Sequence, residues 1–504
     1  MALAAAIALM AGLVPASAAV AATTAKDSAA VPTGAIAAFG HQTLTWQACG
    51  TFQCSTLTVP QSYLDPAGPV FRLPVIKAPA TDPAHRVGTL FFNPGGPAAS
   101  GVAALQGELT LLSPNLRAHF DIVAWDRRGT AGSDPALHCG SDTALDAYNH
   151  LDPDPATAAG LSALYQAGRT LAASCRANSA PGLLSDAGSI ATAFDTDVLR
   201  SAIGERTVNY FAFSYGTFQG AWYAELFPTH VRTMSLDGML DPAHSGPQNM
   251  VAQAAAFERE LTYYIDDCNT AMPGQCPAAT PDGIRAVIDG LETRLRAAPL
   301  AVPGTGRTVG PAELTAILEE IAVAPGTDPA TANWPGASQD LIHAAAGDGT
   351  SMLADADFWF GRNPDGTHDG TEVDGENLIC SDSPWPTTQD GYSQLLSAAE
   401  AAGPHFGGAR AGDGLPCTGW DAPTAFPAPL TAAGAPPILV VSTTGDPATP
   451  YQMGADVAHT LAKGVLLTWQ GHGHTAYGRS NSCVTDNVDT YLITGTPPAA
   501  GMVC

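Results

Sequence analysis

The chain has 504 residues, room for about three domain-sized units or for one domain carrying a large insertion. Apolar residues make up 45% and charged residues 13%, which supplies a core and excludes a fibrous or globally disordered chain despite 41 prolines and 52 glycines. With 21 basic against 47 acidic residues the net charge is −26, and no Lys/Arg-rich run offsets it, so a phosphate backbone is repelled and nucleic acid is excluded as a partner.

The first apolar stretch, LAAAIALMAGLV, runs into Pro15 and the small residues Ala16-Ser17-Ala18-Ala19, the pattern of a secretory signal and its cleavage site, although no Lys or Arg precedes Lys26. Residues 1–30 are therefore expected to be a signal peptide and linker, and the mature protein to be secreted. No other run reaches the roughly 18 apolar residues needed to span a bilayer. Ten cysteines, even in number and with neither a C-x-x-C nor histidines at zinc-finger spacing, suit an oxidising compartment and five disulfides. Sequence leaves their connectivity open. The simplest arrangement pairs neighbours: Cys49 with Cys54, Cys139 with Cys175, Cys268 with Cys276, Cys380 with Cys417, and Cys483 with Cys504.

From residue 31 to 240 the recurring pattern is strand, turn, helix. VGTLFFNPGGPAASG passes from an apolar strand (Val87 to Phe92) into a Gly/Pro loop, and HFDIVAWDRRGTAGSDP from a strand (Asp121 to Trp125) into a charged turn. TVNYFAFSYGTFQGAWYAELFP begins as a strand (Thr207 to Phe213), turns sharply and continues at helical spacing; TMSLDGMLDP gives another strand. Strands this apolar are covered on both faces, so a mostly parallel sheet flanked by helices is expected. Residues 241–429 break the rhythm with Ala-rich helical stretches such as GPAELTAILEEIAVA and SQDLIHAAAGDG, read as an inserted helical lid. The sheet resumes within 430–504, in PPILVVSTTGDPATP and GVLLTWQGHGHTAYG.

Chemistry gathers at the strand ends. Ala212-Phe213-Ser214-Tyr215-Gly216 lies between a strand and a helix, the context of a nucleophile elbow, where strand and helix approach closely and need small flanking residues. A serine in such a turn can also be a plain helix N-cap. Asp446 at the end of one strand and His474 after the next complete the order Ser, Asp, His. In that arrangement Ser214 attacks an acyl carbon, His474 takes and returns the proton, and Asp446 holds the imidazole tautomer. His472, two residues away, competes for the role of base; the Gly-His-Thr ending favours His474. Backbone amides of Gly96, in the Pro94-Gly95-Gly96-Pro97 loop, and of Tyr215 are the expected oxyanion hole.

NPGGPAASG, AWDRRGTAGSDP, AFSYGT, LDGMLDP, GDPATP, GHGHT, the CTGW string at Cys417 and the closing cysteines together resemble the secreted tripeptidyl aminopeptidases of the proline iminopeptidase-like α/β-hydrolases, across essentially the whole mature chain. Ala212 stands where that family usually has Gly, and Ala98 replaces the Gly that usually follows the oxyanion-loop GGP. The resemblance implies an α/β-hydrolase fold and hydrolysis of peptide bonds near a free N-terminus, with no metal or cofactor. The acidic THDGTEVDGE stretch lacks EF-hand spacing and reads as a solvated lid loop. The same triad also serves carboxylesterases and lipases, so a small ester is the alternative to a peptide substrate. Counting residues from a free amine needs a fixed anion to meet the ammonium. The lid offers Glu258, Asp374, Glu376 and Asp382, with Phe358, Trp359 and Phe360 as pocket walls.

Overall fold

The inner apolar segments carry hydrophobic side chains on both faces, and they come together as the middle of one ten-stranded sheet. The computed structural model describes residues 31–323, 333–368, 375, 377–420, 425 and 427–504. Its strands are β1 (Gln47–Cys49), β2 (Phe52–Pro60), β3 (Val70–Ala78), β4 (Gly88–Asn93), β5 (Phe120–Trp125), β6 (Val208–Phe213) and β7 (Val231–Asp237). A separate ribbon of β8 (Leu300–Val302) and β9 (Arg307–Val309) follows, then β10 (Ile438–Gly445), β11 (Gly464–His472) and β12 (Met502–Val503). Across the large sheet the order is β1-β2-β3-β5-β4-β6-β7-β10-β11-β12. Pairing is antiparallel from β1 through β3 to β5, and parallel from β5 to β12. The antiparallel edge was not among the expected strands; its residues alternate between exposure and burial and give no continuous apolar run.

Alternation along β6 shows how the two faces are filled. Tyr210 and Ala212 pack with β7 Leu236 under helices Ser189–Ala202 and Tyr215–Leu226. Phe211 and Phe213 point the other way, toward Leu105, Leu116 and Val488 of helices Gly101–Glu108, Pro114–His119 and Ser482–Thr494. Between β7 and β10 the chain builds a helical layer from Gly246–Ala271, Pro281–Ala297, Pro311–Val323, Trp334–Ala346, Thr350–Trp359, Gln389–Ala402 and Gly407–Asp413. The first of these starts at a capping box, Ser245 with Gln248, and a Pro in its first turn. Leu261, Tyr264, Ile288, Ile317, Trp334 and Leu341 give this layer a core of its own.

All five disulfides join neighbouring cysteines: 49–54, 139–175, 268–276, 380–417 and 483–504. Among the described residues no helix is long and apolar enough to cross a membrane. The expected signal segment, residues 1–30, lies outside the described residues, as does most of THDGTEVDGE.

Candidate active site

β6 passes into helix Tyr215–Leu226 through a single residue, Ser214, at φ 50° and ψ −127°. A positive φ is costly for a residue with a Cβ, on the order of 1–3 kcal/mol, and persists only where neighbours enforce it. Here the Ser214 N–H donates to the Asp237 carbonyl at 2.9 Å, and the Ser214 carbonyl accepts from the Thr217 N–H at 2.8 Å. The helix lies so close to the sheet that a Cβ on Gly216 would stand 2.5 Å from Asn93 Oδ1, and one on Gly220 2.6 Å from the Tyr210 ring. Ala212 is fully buried in the sheet core, so its methyl is accommodated.

Parallel pairing of β10 with β11, in a register that sets Gly445 opposite His472, brings the two following loops together. His474 Nδ1 lies 2.9 and 3.0 Å from the two oxygens of Asp446. Asp446 is 1% exposed. Its Oδ1 also accepts the N–H groups of Ala448 and Thr449, and its Oδ2 accepts Thr449 Oγ1–H at 2.8 Å and the Thr475 N–H at 3.2 Å. A carboxylate surrounded by donors fixes the proton of the imidazole on Nδ1 and leaves Nε2 to accept. The His474 N–H is held by the Val323 carbonyl at 2.9 Å, so helix Pro311–Val323 ends on the histidine. Ser214 and His474 both border the end of β7: Asp237 holds the serine amide, and a Cβ on the next residue, Gly238, would lie 3.3 Å from His474 Cε1. No hydrogen bond joins the Ser214 hydroxyl to His474 among the described residues. His472 is held elsewhere, with Nδ1 at 2.8 Å from Glu260 and its ring stacked on Tyr263 at 3.7 Å.

The Gly/Pro loop after β4 lies against Ser214. Gly95 has φ 89°, and a Cβ there would fall 2.6 Å from the Phe213 carbonyl and 2.8 Å from Ser214 Cβ. The amides of Gly96 and Tyr215 donate to no group among the described residues. Unpaired N–H groups beside a nucleophile suit a developing oxyanion. Ala98 is fully buried, and a Cβ on Gly375 would lie 2.6 Å from its methyl. Arg127, which reads in the sequence only as part of a charged turn, donates to the Pro97 carbonyl at 2.7 Å and the Ala187 carbonyl at 3.0 Å, clamping the loop. Asp237 is a second residue that motif reading misses: its carboxylate accepts the N–H groups of Ala476 and Tyr477, just after His474. Burial pushes it up to about 6.

A cavity of about 670 Å³ opens from Ser214, Tyr215 and Pro97 into the helical layer. Trp359 lines it, 40% exposed, with Nε1–H donating to Glu320 at 3.1 Å. Asp382 also lines it, but its oxygens already accept the Ser189 N–H and Oγ–H, at 2.7 and 2.6 Å, and the Tyr215 hydroxyl. Glu258 is not on the cavity wall; it holds the N–H and Nδ1 of His405 at 3.1 and 2.9 Å. Asp374 and Glu376 lie outside the described residues. The carboxylates that sequence reading passed over are Glu319 and Asp413, on the cavity wall and both paired to Arg410, at 2.6 and 3.1 Å. Nothing local distinguishes them from a solvated helix face; only the packing of helix Pro311–Val323 against helix Gly407–Asp413 brings them together.

Residues 403–504 match a family model described as TAP-like protein, and residues 88–281 one described as alpha/beta hydrolase fold. Over 464 residues the chain is 32% identical to the protein named serine protease Hip1 in Mycobacterium tuberculosis, covering 90% of this chain and 87% of that one. It is 33% identical over 469 residues to carboxylesterase B of Mycobacterium tuberculosis, covering 90% and 86%. It is 31% identical over 473 residues to the tripeptidyl aminopeptidase of Streptomyces lividans, covering 91% and 84%. The chain therefore belongs to the tripeptidyl aminopeptidase-like family of α/β-hydrolases and is a serine hydrolase of the peptidase type.

Proposed function

We propose that the protein is a secreted exopeptidase that releases short peptides from a free N-terminus, with Ser214 as nucleophile, His474 as general base and acid, and Asp446 as the group that orients the imidazole. The observation that carries this reading is the Asp446–His474 pair, which follows β10 and β11 and borders the end of β7, where Asp237 holds the strained Ser214. Ser214 Oγ attacks the acyl carbon while His474 Nε2 takes its proton; the carbonyl oxygen turns toward the Gly96 and Tyr215 amides; the C–N bond breaks as His474 returns the proton to the amine. Water repeats the sequence on the acyl-enzyme. Five disulfides support an exported protein. The division that goes with this reading is a signal segment (1–30), a core in two parts (31–240 and 430–504) and a lid (241–429).

Of the acids considered, Asp382 faces the cavity with its oxygens occupied, whereas burial pushes Glu319 and Asp413 up despite their shared pairing with Arg410, a cost that a substrate ammonium beside them would offset. A serine-directed fluorophosphonate is expected to label Ser214, and Ser214→Ala to lose about 10³-fold or more in kcat while folding normally. N-acetylation of a tripeptide substrate is expected to lower kcat/KM at least about tenfold, the loss of one charge-assisted contact. Equal turnover of free and acetylated peptides would move the assignment to an endopeptidase, and a strong preference for simple esters to a carboxylesterase, a reading that the similarity to carboxylesterase B favours.

A further inference from the structure

Among the described residues the exposed large apolar side chains are Leu64, Val87, Phe358, Trp359 and Val503. Two of these five are chain neighbours on the wall of the cavity that contains Ser214. Phe358 is 80% exposed, and its ring meets that of Trp359 edge to face at 6.3 Å. The backbone beneath them is clamped. Arg307 grips Asp357 with two contacts of 2.6 Å, Arg362 holds Asp146 at 2.8 Å, and Trp359 is tied to Glu320. Aromatic surface that is exposed yet held in place loses little freedom on binding and gains by being covered.

The Glu320 contact fixes the side of the cleft on which this pair stands. Glu320 lies three residues before Val323, whose carbonyl accepts the His474 N–H, so about 5 Å of helix axis separates them. The acyl half of a substrate is gripped by the Gly96 and Tyr215 amides, and the departing group must lie beside the imidazole that protonates it. We infer that Phe358 and Trp359 form a subsite for an apolar side chain on the departing peptide, at the residue immediately C-terminal to the cleaved bond. This rests on the acyl-enzyme mechanism proposed above.

Partitioning of the acyl-enzyme tests it. Enzyme acylated by a chromogenic tripeptide anilide or a short-chain p-nitrophenyl ester is offered leucinamide or glycinamide. The amine nitrogen attacks the acyl carbon, the bond to Ser214 Oγ breaks, and the proton released by the amine passes through His474 to Ser214 Oγ, giving an acyl-amino-acid amide in place of the free acid. Leucinamide is expected to capture the acyl-enzyme at least about tenfold better than glycinamide. Phe358→Ala and Trp359→Ala are each expected to cut that ratio about threefold or more, and Trp359→Phe, which keeps a ring, to retain about half of it. Phe358 is exposed, so its truncation does not endanger the fold. A ratio near one in the wild type, or a ratio unchanged in both alanine variants, overturns the subsite alone. Failure of the fluorophosphonate to label Ser214 overturns the subsite together with the mechanism beneath it.

Discussion

His474 and His472 are two residues apart, and what separates them is the partner of each Nδ1. Asp446 orients His474 from the core, whereas Glu260 and Tyr263 of helix Gly246–Ala271 hold His472. His474→Ala is therefore expected to lose about 10³-fold or more in kcat, and His472→Ala less than about tenfold. Equal damage from both would leave the base unassigned. Ser214, Asp446 and His474 could be singled out in the sequence because each sits in a short string whose backbone context is local. Arg127 and Asp237 were not, because each acts on a segment remote in sequence: Arg127 on the Pro97 carbonyl, Asp237 on the amides after His474. The same holds for Glu319 and Asp413, whose shared partner is Arg410.

Elements show the same division between what a pattern reveals and what packing decides. β4, β5, β6, β7, β10 and β11 were legible as apolar runs, since strands covered on both faces need nothing polar in them. The edge strands β1 to β3 were not, because edges alternate, and β8 and β9 are three residues each, too short to carry a period. At the C-terminal end, β12 pairs with β11, the Cys504 N–H donates to the Thr468 carbonyl at 2.8 Å, and Cys504 is bridged to Cys483 at the start of helix Ser482–Thr494. The bridge closes a separation of 21 residues, which in the chain-entropy account is worth about 3 kcal/mol. Replacing both cysteines with serine is expected to lower Tm while kcat measured on folded enzyme at room temperature stays within about twofold, because the tail touches the sheet edge and not the cavity. A loss of kcat with unchanged Tm would show that the tail positions the catalytic loop instead.

Across the whole molecule, part of the acidic excess is held protonated by the fold. Burial, with Asp355 and Glu320 adding to it, pushes Asp340 up to about 7. Burial and Asp154 do the same for Glu400, also to about 7. Unfolded carboxyls titrate near about 4, so between about pH 4 and 7 the native state binds protons that the unfolded chain has lost, and stability falls as pH rises through that window. His405 adds a second decline: burial pulls it down, but Glu258 and Asp289 outweigh this and raise it to about 9. Its contribution is complete below about pH 6.5 and is lost as pH climbs to about 9. Glu258 itself is held below its usual value by His405 despite burial, and Asp197 likewise by Arg200 and His230, so their stabilisation is lost only as pH falls through those lowered values. The terms together place the maximum in mildly acidic solution. Tm is expected to peak near about pH 5 and to decline toward about pH 9, and Asp340→Asn to flatten the part of the slope below about pH 7. A Tm that rises between those limits would reverse the sign and remove the account. Asp340, Glu400 and His405 all belong to the helical layer over the cavity, so hydrogen exchange should show helices Trp334–Ala346 and Gln389–Ala402 loosening with pH before β6 does. Activity would then fall on the alkaline side well below Tm, since the layer that covers Ser214 opens while the sheet that strains it stays folded.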